Sequence, residues 1–290
     1  MFLALLACVA SDCPEGSTLG EDGLCYLDTA ALPDTAAPAA PAAPTLSEAA
    51  AIEALQRVLA GGLPEPMGLA ASYDVVLTSS GDTTCPIVNP PSEEGSVGGV
   101  WAGACTASTG WAFSGQSLYL LTTEDDAGVQ SLTLEMASSF EMISPEGAVF
   151  LGGGEVAFSH ISTGTAVSYT GHIGGLYSYP GASNWLSSVS SAALLYEGSR
   201  DDFGSRLVLD GGVGAGEQII DFIDLTVDTT VCDGAPSGEI GIRDSTGLWY
   251  ELTLECSSCG TLSWLGTSLS EHCIGLTEPL EDLIAALEDA

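Results

Sequence analysis

Nine cysteines and three histidines are the residues in this chain whose type and spacing can do chemistry. The densest group is Cys256-Ser257-Ser258-Cys259, followed by His272-Cys273. Two thiolates two residues apart, joined by a His/Cys pair, offer four ligands for a tetrahedral zinc ion. Oxidation competes for the same sulfurs: with Cys232 as a fourth partner, they form two disulfides in an oxidising compartment. Disulfides are the expectation. Only one CxxC is present, and the adjacent His272 and Cys273 turn toward one metal only with strain. A redox-active CxxC needs a thioredoxin-like βαβ context, which the flanking pattern lacks. Cys13–Cys25 and Cys85–Cys105 are the pairs suggested by proximity. Cys232, Cys256, Cys259 and Cys273 pair in three ways, and spacing does not choose among them.

Cys8 stands apart. It follows Leu5-Leu6-Ala7 directly after an apolar run. A small residue before the cysteine, with aliphatic residues two and three places back, resembles the lipobox of bacterial lipoproteins. The resemblance covers residues 1–8. It implies a removed signal segment at 1–7, a lipid on the Cys8 thiol and attachment to a membrane through that lipid. Setting Cys8 aside leaves eight cysteines, enough for four disulfides. Val9 is not the Asp that retains such proteins in the inner membrane, so the resemblance implies the outer membrane, on its periplasmic or cell-surface face. With its acidic composition and linker, the chain resembles acidic, cysteine-bearing lipoproteins of soil-dwelling Gram-negative bacteria such as myxobacteria. That resemblance carries no activity with it.

Other reactive groups have plainer roles beside their chemical ones. His160, His172 and His272 follow no HExxH pattern, and no serine sits in GxSxG. A Ser/His/Asp triad assembles in space, so His160 or His172 meeting a serine and an aspartate would mark a hydrolase. Glu135 and Glu141 share a strand face as a glycosidase pair would, yet a polar exterior explains them. Glu124-Asp125-Asp126 and Asp201-Asp202 are the candidates for Ca²⁺, which needs six to eight oxygens from several turns. Asp is also a good turn residue. The glycines at 211, 212, 214 and 216 lack GxGxxG spacing and a P-loop lysine, so they suit loops or bulges. Tyr169, Tyr177 and Tyr179 share an apolar strand face and read as core. Trp185, in a Pro-Gly-Ala-Ser-Asn loop, is the aromatic singled out for ligand contact.

The charge balance excludes one partner class. There are 39 acidic residues against four arginines, Arg57, Arg200, Arg206 and Arg243, with no lysine and a net charge of −35. Nucleic acid is excluded, because backbone binding needs clustered cations. Charged residues are only 15% of the chain, so the surface must be mostly Ser, Thr and Gly with scattered carboxylates.

The elements that position these groups follow from periodicity. Residues 8–28 form a lipidated stalk knot closed by Cys13–Cys25. Residues 29–45 are a Pro/Ala linker, with Pro33, Pro38, Pro41 and Pro44 favouring polyproline II; at about 3.1 Å per residue it reaches about 50 Å. A helix runs from Leu46 to about Ala60, with Thr45 and Glu48 at capping-box spacing and Ile52, Leu55, Val58 and Leu59 as its stripe. From Tyr73 the period becomes two. Leu132, Leu134, Met136, Phe140 and Met142 share one face, as do Val167, Tyr169 and Ile173, and Tyr250, Leu252 and Leu254. About eleven strands are expected. A short helix capped by Thr277 closes the chain, with Leu280, Leu283, Ile284 and Leu287 inward.

The expected fold is mainly β. Long antiparallel strands form a curved meander sheet or sandwich in one domain, residues 46–290, with one N-terminal and one short C-terminal helix. The leading functional expectation is an exported, lipid-anchored, non-enzymatic protein with an envelope or surface interaction role toward a protein or glycan. An apolar-ligand carrier on a curved sheet is the first alternative and a secreted hydrolase the second.

Overall fold

The computed structural model describes residues 17–19, 25–27 and 44–289, apart from 61–62, 92–95, 125–127, 147–148, 179–190, 216–217 and 244–246. Two compact units divide the chain, 1–43 and 44–290. In the first, β1 (Ser17–Leu19) and β2 (Cys25–Leu27) pair antiparallel, with Leu19 opposite Cys25. Cys8 and Cys13, and with them the expected Cys13–Cys25 pairing, lie outside the described residues.

The second unit begins with two helices, α1 (Glu48–Ala60) and α2 (Pro66–Ser80). Twelve strands follow: β3 (Ser96–Thr106), β4 (Ala112–Glu124), β5 (Val129–Ile143), β6 (Val149–Thr163), β7 (Ala166–Ser178), β8 (Ser191–Arg200), β9 (Ser205–Ala215), β10 (Gln218–Asp228), β11 (Pro236–Arg243), β12 (Trp249–Leu254), β13 (Cys259–Trp264) and β14 (Thr267–Cys273). A last helix, α3 (Thr277–Glu288), ends the unit. Each strand pairs antiparallel with its sequence neighbours, from β3 at one edge to β14 at the other. The fold is therefore the open meander and not the sandwich.

Alternation decides which side of each strand is covered. Leu132, Leu134, Met136, Phe140 and Met142 on β5 are all buried, as are Val167, Tyr169 and Ile173 on β7 and Tyr250, Leu252 and Leu254 on β12. These faces add up to one continuous apolar side, and the three helices lie on it. Helix α1 packs on β9, β10 and β11, α2 on β6 and β7, and α3 on β7. Burying a Leu- or Phe-sized side chain contributes about 1.5–3 kcal/mol, so this layer contact dominates the stability of the unit.

Helix α2 stands where alternation from Tyr73 predicts a strand. Tyr73 is the centre of a helix. Pro66 opens it, where a missing N–H costs nothing, and Pro66, Leu69, Ala70, Tyr73 and Val76 are buried at helical spacing. Gly68, Val75, Val76 and Thr78 are poor helix formers that blur the signal, and packing on β6 and β7 overrides their propensity. The caps also differ from expectation. Ser47 caps α1, its Oγ accepting from the Ala50 N–H at 3.2 Å. Leu276, not Thr277, precedes α3 and supplies no side-chain cap.

Tyrosine hydroxyls on the covered side join sheet to helices. The Tyr73 hydroxyl accepts from Trp101 Nε1 at 3.0 Å and from Ser117 Oγ at 2.8 Å. Tyr250 donates to the Leu46 carbonyl at 2.7 Å, ahead of α1. Tyr196 donates to the Pro64 carbonyl between α1 and α2. Tyr196 and Tyr250 satisfy chain carbonyls outside the helices' own ladders, and Tyr73 satisfies two buried donors of the sheet.

The sheet also carries designed irregularities. At Ile223–Asp224, β10 shifts register against both β9 and β11. Asp224 takes a left-handed φ of 48°, and its N–H donates to Asp210 Oδ1 at 2.8 Å. Gly211, expected in a loop or bulge, lies within β9 with φ 103° and the Ala193 carbonyl where a Cβ would stand.

Replacing Tyr73 by Phe leaves the buried Trp101 and Ser117 donors without that acceptor. The expected cost is about 1–3 kcal/mol, read from urea unfolding of the two proteins side by side.

Candidate functional site

Three disulfides lie among the described residues: Cys85–Cys105, Cys232–Cys256 and Cys259–Cys273. The first is the pair suggested by proximity. The other two consume every sulfur of the zinc alternative. Cys259 and Cys273 stand directly opposite on β13 and β14, so the pairing is a consequence of strand register. Among the described residues, no group of three or more His, Cys, Asp or Glu side chains gathers to hold a metal ion. Disulfides of this number belong to an oxidising, exported environment. No helix of the described residues is long and apolar enough to cross a membrane.

The three histidines take three different places. His160 is buried, with Nε2 3.2 Å from the Glu288 carbonyl at the end of α3. His172 lies on the uncovered side of the sheet, 3.7 Å from Glu155 Oε1. Neither meets a serine and an aspartate together in the described contacts. His272 does meet a serine: Ser270 Oγ is 2.9 Å from its Nε2. Ser270 also donates to Glu48 Oε2 at 2.6 Å, and that oxygen is 4.0 Å from the same His272 nitrogen. In a nucleophile triad the carboxylate holds the far imidazole nitrogen. Here it takes the serine proton itself, so the cluster fastens the start of α1 to edge strand β14. Spacing in the sequence gives no hint of it, because 222 residues separate Glu48 from Ser270.

Other carboxylates do structural work. Asp201 Oδ1 accepts from the Phe203 and Gly204 N–H groups, closing the β8–β9 turn. Asp82 accepts from the backbone of Thr84, Cys85 and Ser108 and from the Thr84 hydroxyl. These bonds, the Ser108 backbone first, hold its pKa well below the usual carboxylate range. Glu288 is nearly enclosed and pairs with Arg200 at 2.8 Å, tying α3 to β8. Trp185, with Asp125 and Asp126 of the acidic turn, lies outside the described residues.

Two surfaces remain. The first is the side of the sheet opposite the helices. Cross-strand partners share a face, so the register from Glu135 to Glu155 to Gly174 to Ala193 to Gly212 to Asp221 crosses six strands on one side. Glycine and alanine at the middle of that row keep it low, with carboxylates at both ends. Alongside lie Glu197, Asp210 and His172, and Leu195, which is 60% exposed. A shallow trough of about 430 Å³ runs here across β6 to β9, between Ser159, His172, Glu197 and Asp210. Further along, Arg243 stacks on Trp249 at 4.8 Å and lies 3.8 Å from Asp221. Burial raises the Asp221 pKa, and Arg243 opposes that. Glu135 sits on this polar side, as expected.

The second surface is a groove of about 660 Å³ between α1 and α3. Leu59, Leu63 and Leu283 form its apolar lining, and Glu65, Glu278 and Asp282 are its carboxylates. Burial raises the Glu65 pKa, against hydrogen bonds from the Gly68 and Met67 backbone. Nothing in the periodicity of α1 or α3 announces this groove, because it depends on how two distant helices lie together. Compared with known protein families, curated proteins and solved structures, the chain matches none.

A depressed folded-state pKa stabilises only while the group is ionised. The Asp82 contribution is thus present above its ordinary value of 3.8 and is lost as pH falls through the lower folded value. Asp82→Ala is expected to lower Tm at pH 7, and the gap to the parent to narrow steadily below pH 3.8 in a calorimetric pH series.

Proposed function

We propose that this is an exported, lipid-anchored, non-enzymatic protein of the cell envelope or surface, which meets its partner on the uncovered side of its sheet. The observation that supports it most is the asymmetry of the two sheet faces. Three helices cover one side. The other presents hydroxyls, small residues and carboxylates across at least six strands, with Glu135, Glu155, Glu197, Asp210 and Asp221 among them. Such a face offers broad area for recognition without grouping the residues of a reaction centre.

Two further features support export and anchoring. Cys85–Cys105, Cys232–Cys256 and Cys259–Cys273 are the products of an oxidising compartment. Cys8, after Leu5-Leu6-Ala7, has the surroundings of a lipid acceptor. Lipid on Cys8 would supply the membrane attachment, since an acidic surface has no affinity for anionic headgroups. The expected Pro/Ala linker at 29–45 lies outside the described residues up to 43. The outer membrane is the destination implied by Val9.

Intact mass of the protein taken from its native membrane, with and without reductant, tests this reading. The expected result is a chain beginning at Cys8 with a diacylglycerol-sized increment, gaining the mass of two hydrogens per disulfide on reduction. An unmodified amino terminus with free thiols would overturn both export and anchoring.

A further inference from the structure

We propose that the groove between α1 and α3 is a binding site for amphipathic organic cations, molecules with a small hydrocarbon body and an ammonium head. This site is separate from the uncovered sheet face. At about 660 Å³ the groove has the size of a small-molecule site. Its walls have two kinds of chemistry. Leu59, Leu63 and Leu283 supply apolar contact, while Glu65, Glu278 and Asp282 supply negative charge. Among the described residues no cation lines it, and Arg57, next to Gln56 on α1, does not reach it. The charge is thus uncompensated within the groove.

Glu65 strengthens the case. One of its oxygens stands against the first turn of α2, where a Cβ on Gly68 would overlap it. The other, Oε2, is buried and has no hydrogen-bond partner. A buried carboxylate oxygen without a partner is costly. A cation seated in the groove brings counter-charge to that carboxylate without requiring a direct bond. Burial already raises the Glu65 pKa, and a bound cation would lower it again. Ammonium with a hydrocarbon body satisfies both walls. A bare metal ion would find no converging ligand set, and a fatty anion would meet three carboxylates.

Titration of the full chain with hexyltrimethylammonium, followed by ligand-observed NMR, tests the assignment. Hexanoate and 1-hexanol serve as anionic and neutral counterparts. The expected result is a Kd on the order of a millimolar for the cation, with binding of either counterpart at least about tenfold weaker. Ala60→Trp, at an exposed position on the rim, should abolish binding by filling the groove while leaving Tm near the parent value. Glu278→Gln with Asp282→Asn should weaken binding about fivefold or more. Asp202→Asn with Glu255→Gln, at exposed positions outside the groove, removes the same charge elsewhere and should change Kd less than about twofold. Equal losses in the two double variants would reduce the effect to general attraction by net charge and overturn the proposal. So would undiminished binding to Ala60→Trp, or no binding to the parent chain.

Discussion

Everything in the second unit depends on covering one face of an open twelve-stranded sheet. A meander satisfies its own backbone by pairing each strand with its neighbours, but it leaves two broad sides. One side is built of Leu134, Met142, Leu207, Ile240, Leu252 and their neighbours, all without exposure. That side must be roofed, and α1, α2 and α3 are the roof. Helices laid on a sheet make no ladder bonds with it. Chain carbonyls just ahead of the helices are met by side chains from below. Tyr196 at Pro64 and Tyr250 at Leu46 do this, and Tyr73 reaches down from α2 to Trp101 and Ser117. The layer is held by area and located by hydroxyls.

The extreme charge is handled by the same asymmetry. With four arginines against 39 acids, most carboxylates have no partner of opposite sign. Among the residues whose burial is described, Glu288 is the buried carboxylate and the others reach water, where repulsion is screened. Two of the four arginines meet a carboxylate that leaves water. Arg200 meets the enclosed Glu288 at 2.8 Å, and Arg243 meets the half-buried Asp221 while lying on Trp249. The first pair keeps the last turn of α3 on the sheet. Glu65 is a half-buried carboxylate with no arginine beside it among the described ion pairs, and it borders the groove between α1 and α3.

Strand content was legible because alternation is a local property. Leu132 to Met142 and Tyr250 to Leu254 announce a covered side by themselves. Short turns between most strands favour pairing with the sequence neighbour, while the sequence left meander and sandwich both open. Helix α2 was not legible, because Gly68, Val75, Val76 and Thr78 weaken its helical pattern and its conformation is fixed by contact with β6 and β7. The Ser47 cap was misplaced to Thr45 for a related reason: both residues have capping chemistry, and only the helix start decides between them. The candidate sites were the least legible. The groove joins residues from both ends of the unit, and the Glu48–Ser270–His272 cluster spans nearly all of it.

What the sequence by itself determined is local and additive: period-two strands, an acidic surface, the turn residues, and which cysteine pair is near in the chain. These depend on neighbours within a few positions, so they can be read in order. Only the tertiary structure decided the pairing of Cys232 with Cys256 and of Cys259 with Cys273: strand register sets Cys259 opposite Cys273, and the turns after β10 and β12 bring Cys232 to Cys256. It likewise decided which sheet side lies open and where a groove forms. Those outcomes depend on how large surfaces pack, and packing energy belongs to pairs of elements and not to any one segment.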